Sequence, residues 1–136
     1  MTETLRFEII TPQGTIFSED VTMVTLPVAE GQIGVYPNHV RLITQVVPGE
    51  IIVNGNAGER FFAVGEGLVE IDAQHVAIIT DMAIPAEGID QAKAEEARAR
   101  AEARLREKIS DEEIASVNAS LVRSLAQLQV RRRRKV

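Results

Sequence analysis

An abrupt change of hydrophobic period near Pro85 is the feature that most constrains this chain. Before it, apolar side chains recur at every second residue in short runs, the spacing of half-buried strands; beyond it they recur at helical spacing. A stretch written in one period does not settle into the structure of the other, so a β-domain must be joined to a helical element. We place the division between 1–85 and 86–136. Charge changes at the same point. Residues 1–84 hold three basic side chains (Arg6, Arg41 and Arg60) against eleven acids, whereas 85–136 hold twelve basic and nine acidic ones. An acidic β-body therefore carries a basic helical arm, a body suited to docking and an arm suited to an acidic partner.

In the first part, Leu5, Phe7 and Ile9 alternate with Arg6 and Glu8. Pro12-Gln13-Gly14 turns the chain, Thr15-Ile16-Phe17 starts again, and the β-branched run 20–26 ends at Pro27. Further strands are expected at 41–46, 50–53, 60–64, 68–71 and 76–80, separated by Pro48-Gly49, the Asn54 to Gly58 cluster, Gly65-Glu66-Gly67 and Asp72-Ala73. Many short strands at this spacing predict an all-β antiparallel sandwich or flattened barrel. Segment 30–39, with its two glycines, reads as a tight loop that presents Tyr36 and His39 near a strand end. Gly65-Glu66-Gly67 lacks the following helix that a phosphate cradle needs and reads as a plain turn.

Beyond Gly88, Asp90 is placed to cap a helix whose stripe Ala94, Ala97, Ala101, Leu105 and Lys108 is mostly alanine. Glu96 with Arg100 and Glu102 with Arg106 fall at i,i+4 on its wet side. Ser110 and Glu113 have the form of a capping box that opens a second helix, with the seam Ile114, Val117, Leu121, Leu125 and Leu128. The expected architecture is thus a sandwich plus a C-terminal α-helical hairpin, held by a seam marginal enough to open.

Catalytic chemistry is not legible. His39 and His75 stand on different segments without a cysteine, a spacing that fits no standard zinc site, and His75 reads as a surface residue in a turn. There is no nucleophile elbow and no phosphate loop ending in Lys-Ser or Lys-Thr. The run Arg131, Arg132, Arg133, Arg134 and Lys135 could meet nucleic acid, lipid or an acidic protein, or simply be solvated. The body's eleven acids, and the absence of aromatics interleaved with that run, argue against nucleic acid. No cysteine, no apolar run of membrane-span length and no signal-peptide core are present, which leads us to expect a cytoplasmic location.

Several segments together strongly resemble the epsilon subunit of F-type ATP synthases. They are Phe7-Glu8-Ile9-Ile10-Thr11-Pro12, the loop Gly31-Gln32-Ile33-Gly34-Val35-Tyr36-Pro37-Asn38-His39, Pro48-Gly49 and Gly65-Glu66-Gly67-Leu68. Ile89-Asp90 before the charged alanine-rich helix and Leu125-Ala126-Gln127-Leu128-Gln129-Val130 complete the match, which runs in order over about residues 4–130. The resemblance implies a non-catalytic central-stalk subunit of a proton-translocating rotary complex. Its sandwich would sit on the gamma subunit and the c-ring, at the cytoplasmic face of a bacterial inner membrane. Its hairpin would permit turnover when folded down, and would obstruct ATP hydrolysis when extended into the alpha/beta catalytic head.

Carried over residue by residue, the resemblance implies rotor contacts near Glu30, Gln32, Tyr36 and His39, with Arg41 at the loop base where the family usually has a proline between a small and an apolar residue. Arg123 and Arg131, Arg132, Arg133 and Arg134 would face acidic loops of the catalytic subunits. Some family members bind ATP between the helices. Here Asp90 and Arg123 match that pattern, but Lys93 replaces an arginine and loses its planar fork, and Gln127 replaces another. ATP is therefore expected to be a weak regulatory ligand at most, and no cofactor is expected. The alternative reading is a free-standing nucleotide-sensing sandwich with a ligand-closed helical lid.

Overall fold

The computed structural model describes residues 3–107 and 109–134, with side chains described as far as Arg131. Within them the alternating part forms ten strands: β1 (Leu5–Thr11), β2 (Gly14–Val21), β3 (Met23–Val28), β4 (Gly31–Val35), β5 (Leu42–Val46), β6 (Gly49–Gly55), β7 (Gly58–Val64), β8 (Gly67–Ile71), β9 (His75–Thr80) and β10 (Ala83–Pro85). A short 3-10 turn at Ala86–Gly88 leads into α1 (Gln91–Leu105) and α2 (Asp111–Arg134). The strands run in the order β10-β7-β6-β3-β5-β8-β9-β1-β2, with β4 added on β3.

Period two decides which side chains enter the core. On β1, Leu5, Phe7, Ile9 and Thr11 point inward; across from them on β9, Val76 and Ile78 do the same. Phe7, Ile9, Leu26, Ile51, Ile71 and Ile78 are fully enclosed. Burial of each such side chain stabilises the fold by about 1.5–3 kcal/mol relative to exposure. Phe17 sits between Phe7 and Phe62, with ring centroids 5.8 and 5.4 Å away. Arg60 lies 5.1 Å over the Phe17 ring and 5.6 Å over that of Phe62, and meets Glu19 at 3.3 Å. This cation covers the core where β2, at the end of the strand order, comes back over β6.

Four features depart from the sequence reading. The pairing is antiparallel except between β1 and β9, which run parallel; most of the sandwich lies between them in the chain, so no local turn announces the pair. The run 20–26 is two strands, because Thr22 donates both its amide and its hydroxyl to the Asn54 carbonyl, each at 2.8 Å, and the chain leaves β1 for β6. Segment 31–35 is a strand rather than a loop. Gly31, at φ 128°, ends a tight β3–β4 hairpin, and Gly34 lets the backbone pass Met23, whose Cε would lie 2.8 Å from a Cβ there. Finally, His75 opens β9 and is half-buried instead of standing free in a turn.

The arm caps as its sequence requires. Asp90 accepts the Lys93 amide at 3.1 Å, and Ser110 accepts that of Glu113 at 3.2 Å. Its internal ion pairs differ from the expected i,i+4 set: those within the arm are, among the described residues, Arg98 with Glu95 at 2.8 Å, and Arg104 with both Glu107 and, across the joint, Glu113. The α2 seam also differs. Leu128 is buried, but Ile114 and Leu125 are exposed, while Ser124, Ala126 and Val130 are buried. The reason is that α2 packs on two bodies at once, α1 on one side and β6, β7 and the 3-10 turn on the other. A hairpin seam read for one partner misses the second.

Truncation of Phe7 to alanine should lower the stability of the chain by about 3–5 kcal/mol in a denaturant titration followed by circular dichroism. A loss below about 1 kcal/mol would place Phe7 outside any close-packed core.

Candidate docking surface and latched arm

Strands buried on one face should alternate, yet β1, β5 and β9 each contain an apolar pair in sequence: Ile9-Ile10, Leu42-Ile43 and Ile78-Ile79. The second member of each pair points out. Ile43, Leu68 and Ile79 are 67, 56 and 61 % exposed. Register makes them neighbours: Gln45 lies opposite Leu68, Leu68 opposite Ile79, and Ile79 opposite Ile10, so an apolar row crosses β8, β9 and β1. Ile43, opposite Glu70, lies one row away. Such a contiguous patch is a candidate interaction surface.

Toward one edge the same face becomes polar. His75 Nε2 meets Glu8 Oε1 at 2.5 Å, the Ser18 hydroxyl donates to Glu8 Oε2 at 3.5 Å, and Arg6 reaches Ser18 at 3.0 Å and Asp20 at 3.4 Å. The hydrogen bond from His75, aided by its charge and that of Arg6, holds the Glu8 carboxyl below the ordinary glutamate value against a smaller opposing desolvation.

The β4–β5 connection projects from one end of the sandwich, with Tyr36 60 % and Val40 76 % exposed. It is not loose. Asn38 takes the left-handed conformation at φ 69°, donates its amide to the Ala73 carbonyl at 2.6 Å, and its side chain reaches Glu3 at 2.6 Å. His39 Nδ1 lies 2.6 Å from the Val40 carbonyl. His39 and Arg41 line a cleft of about 310 Å³ with Asp72, Ala73 and Gln74. The Gln74 amide, donating to Asp72 at 2.9 Å, holds that carboxyl low. The structure thus brings Tyr36, His39 and Arg41 to one end. Glu30 lies in the β3–β4 turn and Gln32 just after it, with the length of β4 between Glu30 and Tyr36, about 20 Å along the strand.

The arm meets the sandwich at two places. Val130 packs with Ala63, Ala86 and Ile89 in a small second core. Nearer the joint, Arg123 pairs with Asp81 at 3.4 Å and with its own helix at Ser120, 3.2 Å away; Gln127 donates to the Met82 thioether at 3.1 Å. Asp90 and Lys93 sit at the start of α1, where the Asp90 carboxylate is used by the cap, and neither shares a contact with Arg123 among those described. Arg131 ends the described side chains at partial exposure, and the side chains of Arg132, Arg133 and Arg134, with residues Lys108 and Lys135, lie outside the described residues. Clusters of His, Cys, Asp or Glu able to hold a metal are absent among the described residues.

Comparison with known proteins decides between the open readings. The family model of the ATP synthase delta/epsilon chain β-sandwich domain matches residues 4–86, and that of its long α-helix domain matches 87–131. The chain belongs to the ATP synthase delta/epsilon family. Relatives named ATP synthase epsilon chain include that of Hydrogenovibrio crunogenus, 37 % identical over 95 % of this chain and 90 % of the relative. Another, from Alkalilimnicola ehrlichii, is 38 % identical over 93 % and 91 %. The fold is shared with a chain of the Euglena gracilis mitochondrial ATP synthase (OSCP/F1/c-ring), with a TM-score of 0.77 and 22 % identity over 93 % of this chain and 79 % of that one. It is also shared with a chain of the Tetrahymena thermophila central stalk and c-ring structure, with a TM-score of 0.68 and 10 % identity over 96 % and 98 %. An epsilon chain is a non-catalytic stalk subunit, which agrees with the lack of a legible active site in the sequence.

Sequence reasoning missed Ile43, Leu68, Ile79, Asp81 and Met82. The doubled apolar residues on β5 and β9 were a usable signal for the patch. No local pattern marks Asp81 or Met82, whose partners come from a helix some forty residues on.

The Glu8 tie has a pH signature. A carboxyl lowered in the folded state contributes stability that is complete above its ordinary pKa and is lost as pH falls through the lowered value. Glu8→Gln should therefore flatten the acid-side fall of Tm below about pH 5. An acid limb identical to that of the unsubstituted chain would show that the tie contributes nothing.

Proposed function

We propose that this chain is the epsilon-type rotor element of a proton-translocating ATP synthase. Its sandwich docks on a gamma subunit through the outer face of β5, β8, β9 and β1, and on the c-ring through the end bearing Tyr36, His39 and Arg41, with Glu30 and Gln32 at the ring's margin. The observation that carries this is the apolar row Leu68–Ile79–Ile10, in which Leu68 and Ile79 are exposed, with the exposed Ile43 beside it. Rotor torque needs a rigid body rather than a reactive one, and the enclosed core supplies it. The complexes named for the structural neighbours contain a c-ring, which supports that side of the assignment.

Residues 86–136 act as a regulatory arm. Held on the sandwich as seen here, the arm permits turnover; released, it inhibits hydrolysis by carrying Arg123 and Arg131, Arg132, Arg133 and Arg134 toward acidic loops of the alpha/beta head. The alanine-rich contact between its own two helices, and the one ion pair to the sandwich found among the described residues, support a small energy gap between the two states. ATP is at most a weak regulatory ligand, since Arg123 is engaged by Asp81 and Ser120 and Gln127 by Met82; neither a cofactor nor nucleic acid is assigned. Through its complex the chain would sit peripherally, on the cytoplasmic face of a bacterial inner membrane; no described helix is long and apolar enough to cross a membrane.

Two measurements test the reading. Ile79→Lys, an exposed substitution, should leave Tm within a few degrees and weaken co-purification with gamma at least about ten-fold, the effect of a desolvated charge in an apolar contact. Unchanged gamma affinity would sink the docking face. Removal of residues 86–136 should raise ATP hydrolysis by the assembled complex, and an unchanged rate would sink the inhibitory arm.

A further inference from the structure

Gly65-Glu66-Gly67 leads into strand β8 rather than a helix, and one of its glycines has a use that turn geometry does not explain. The glycines at positive φ are Gly14, Gly31 and Gly58, and Gly65 is not among them, so its backbone would accept an L side chain. What it would not accept is the space a side chain takes. A Cβ at position 65 would lie 2.0 Å from Asp81 Oδ1 and 3.0 Å from its Cγ. The same Asp81 meets Arg123 of α2 through Oδ2.

We infer that Gly65 is the seat of an arm latch: its bare backbone holds the Asp81 carboxylate where Arg123 of α2 can reach it, and so sets how firmly the arm rests on the sandwich. The inference rests on the reading of 86–136 as a movable arm. Backbone rungs fix the two strands face to face. The Gly65 amide donates to the Met82 carbonyl at 3.0 Å, the Asp81 amide to Glu66 at 3.2 Å, and the buried Thr80 hydroxyl to Glu66 at 2.8 Å. Asp81 therefore has little freedom to move except at its side chain. On the other side, Ser120 orients the Arg123 guanidinium at 3.2 Å. Between arm and sandwich here lies a cleft of about 230 Å³, bordered by Pro48, Glu66, Ala119 and Val122 as well as the ion pair. Apolar packing is thin at this point, and the ion pair spans the gap.

The two glycines of the turn separate cleanly. A Cβ at Gly67 would lie 2.0 Å from the backbone oxygen of Ile79, so substitution there must displace the β8–β9 ladder. A Cβ at Gly65 meets only the end of a flexible side chain, which rotates away. Gly65→Ala is thus a clean way to move the carboxylate and leave the sheet in place.

Amide hydrogen exchange on the full chain tests this with Gly65→Ala, Asp81→Asn and the double variant. Each single variant should raise the opening of α2 amides around Arg123 by about two- to five-fold, the range of a partly exposed pair. The double variant should do no more than either single one, because both act on one contact. Amides of β1 and β9 should exchange as before. The inference is overturned if Gly65→Ala leaves α2 unchanged, if the two effects multiply, or if β1 and β9 quicken as well, which would make Gly65 a residue of the fold rather than of the latch. Hydrolysis is not measured, so a negative result leaves the outcome of arm removal standing on its own.

Discussion

The sandwich depends on β1 being paired on both sides. Leu5–Thr11 bonds antiparallel to β2 and parallel to β9, and its inward residues Phe7 and Ile9 are enclosed by side chains from both. A two-stranded hairpin of β1 and β2 would be marginal by itself; the parallel contact with β9 is what attaches it to the remaining strands. Outside the core the same junction is held by the Glu8–His75 tie. Slippage of β1 by one residue would put Arg6 and Glu8 in the core and Phe7 outside. The alternation therefore fixes register more strongly than any single contact.

That strong interior leaves the exterior free to be imperfect. Ile43, Leu68 and Ile79 gain nothing by their exposure in the isolated chain, and covering them with a partner recovers a hydrophobic gain that folding leaves unused. The arm is the opposite case. Ala94 and Ala101 bury little area each, and the Arg123–Asp81 pair is partly open to water on both sides. Among the described residues, Leu128 and the small second core around Val130 give it its main apolar contact. A rigid body with a weakly attached appendage is what a coupling element with a movable regulator requires.

The doubled apolar residues link the fold to the proposed docking face. One member of Ile78-Ile79 fills the core while the next stands outside, so the same strand supplies stability from one set of positions and the exposed apolar row from the other. At the β4–β5 end, an exposed tip is tied by the backbone bond from Asn38 to Ala73 of the β8–β9 turn, which gives Tyr36 and Val40 a defined place despite their exposure.

The sequence by itself determined what depends on neighbouring residues. Period two gave most of the strands, Asp90 and Ser110 set the helix starts, and the motif from Gly31 to His39 carried the family. It hid β4, because glycines that allow a tight hairpin and a close pass of Met23 look like loop residues. Tertiary structure alone decided the β1–β9 pairing, the second buried face of α2, the assembly of the apolar row and the meeting of Asp81 with Arg123. Each of these joins segments far apart in the chain. No local spacing records such contacts, because they form only when burial of a shared core brings distant strands and helices to the same place.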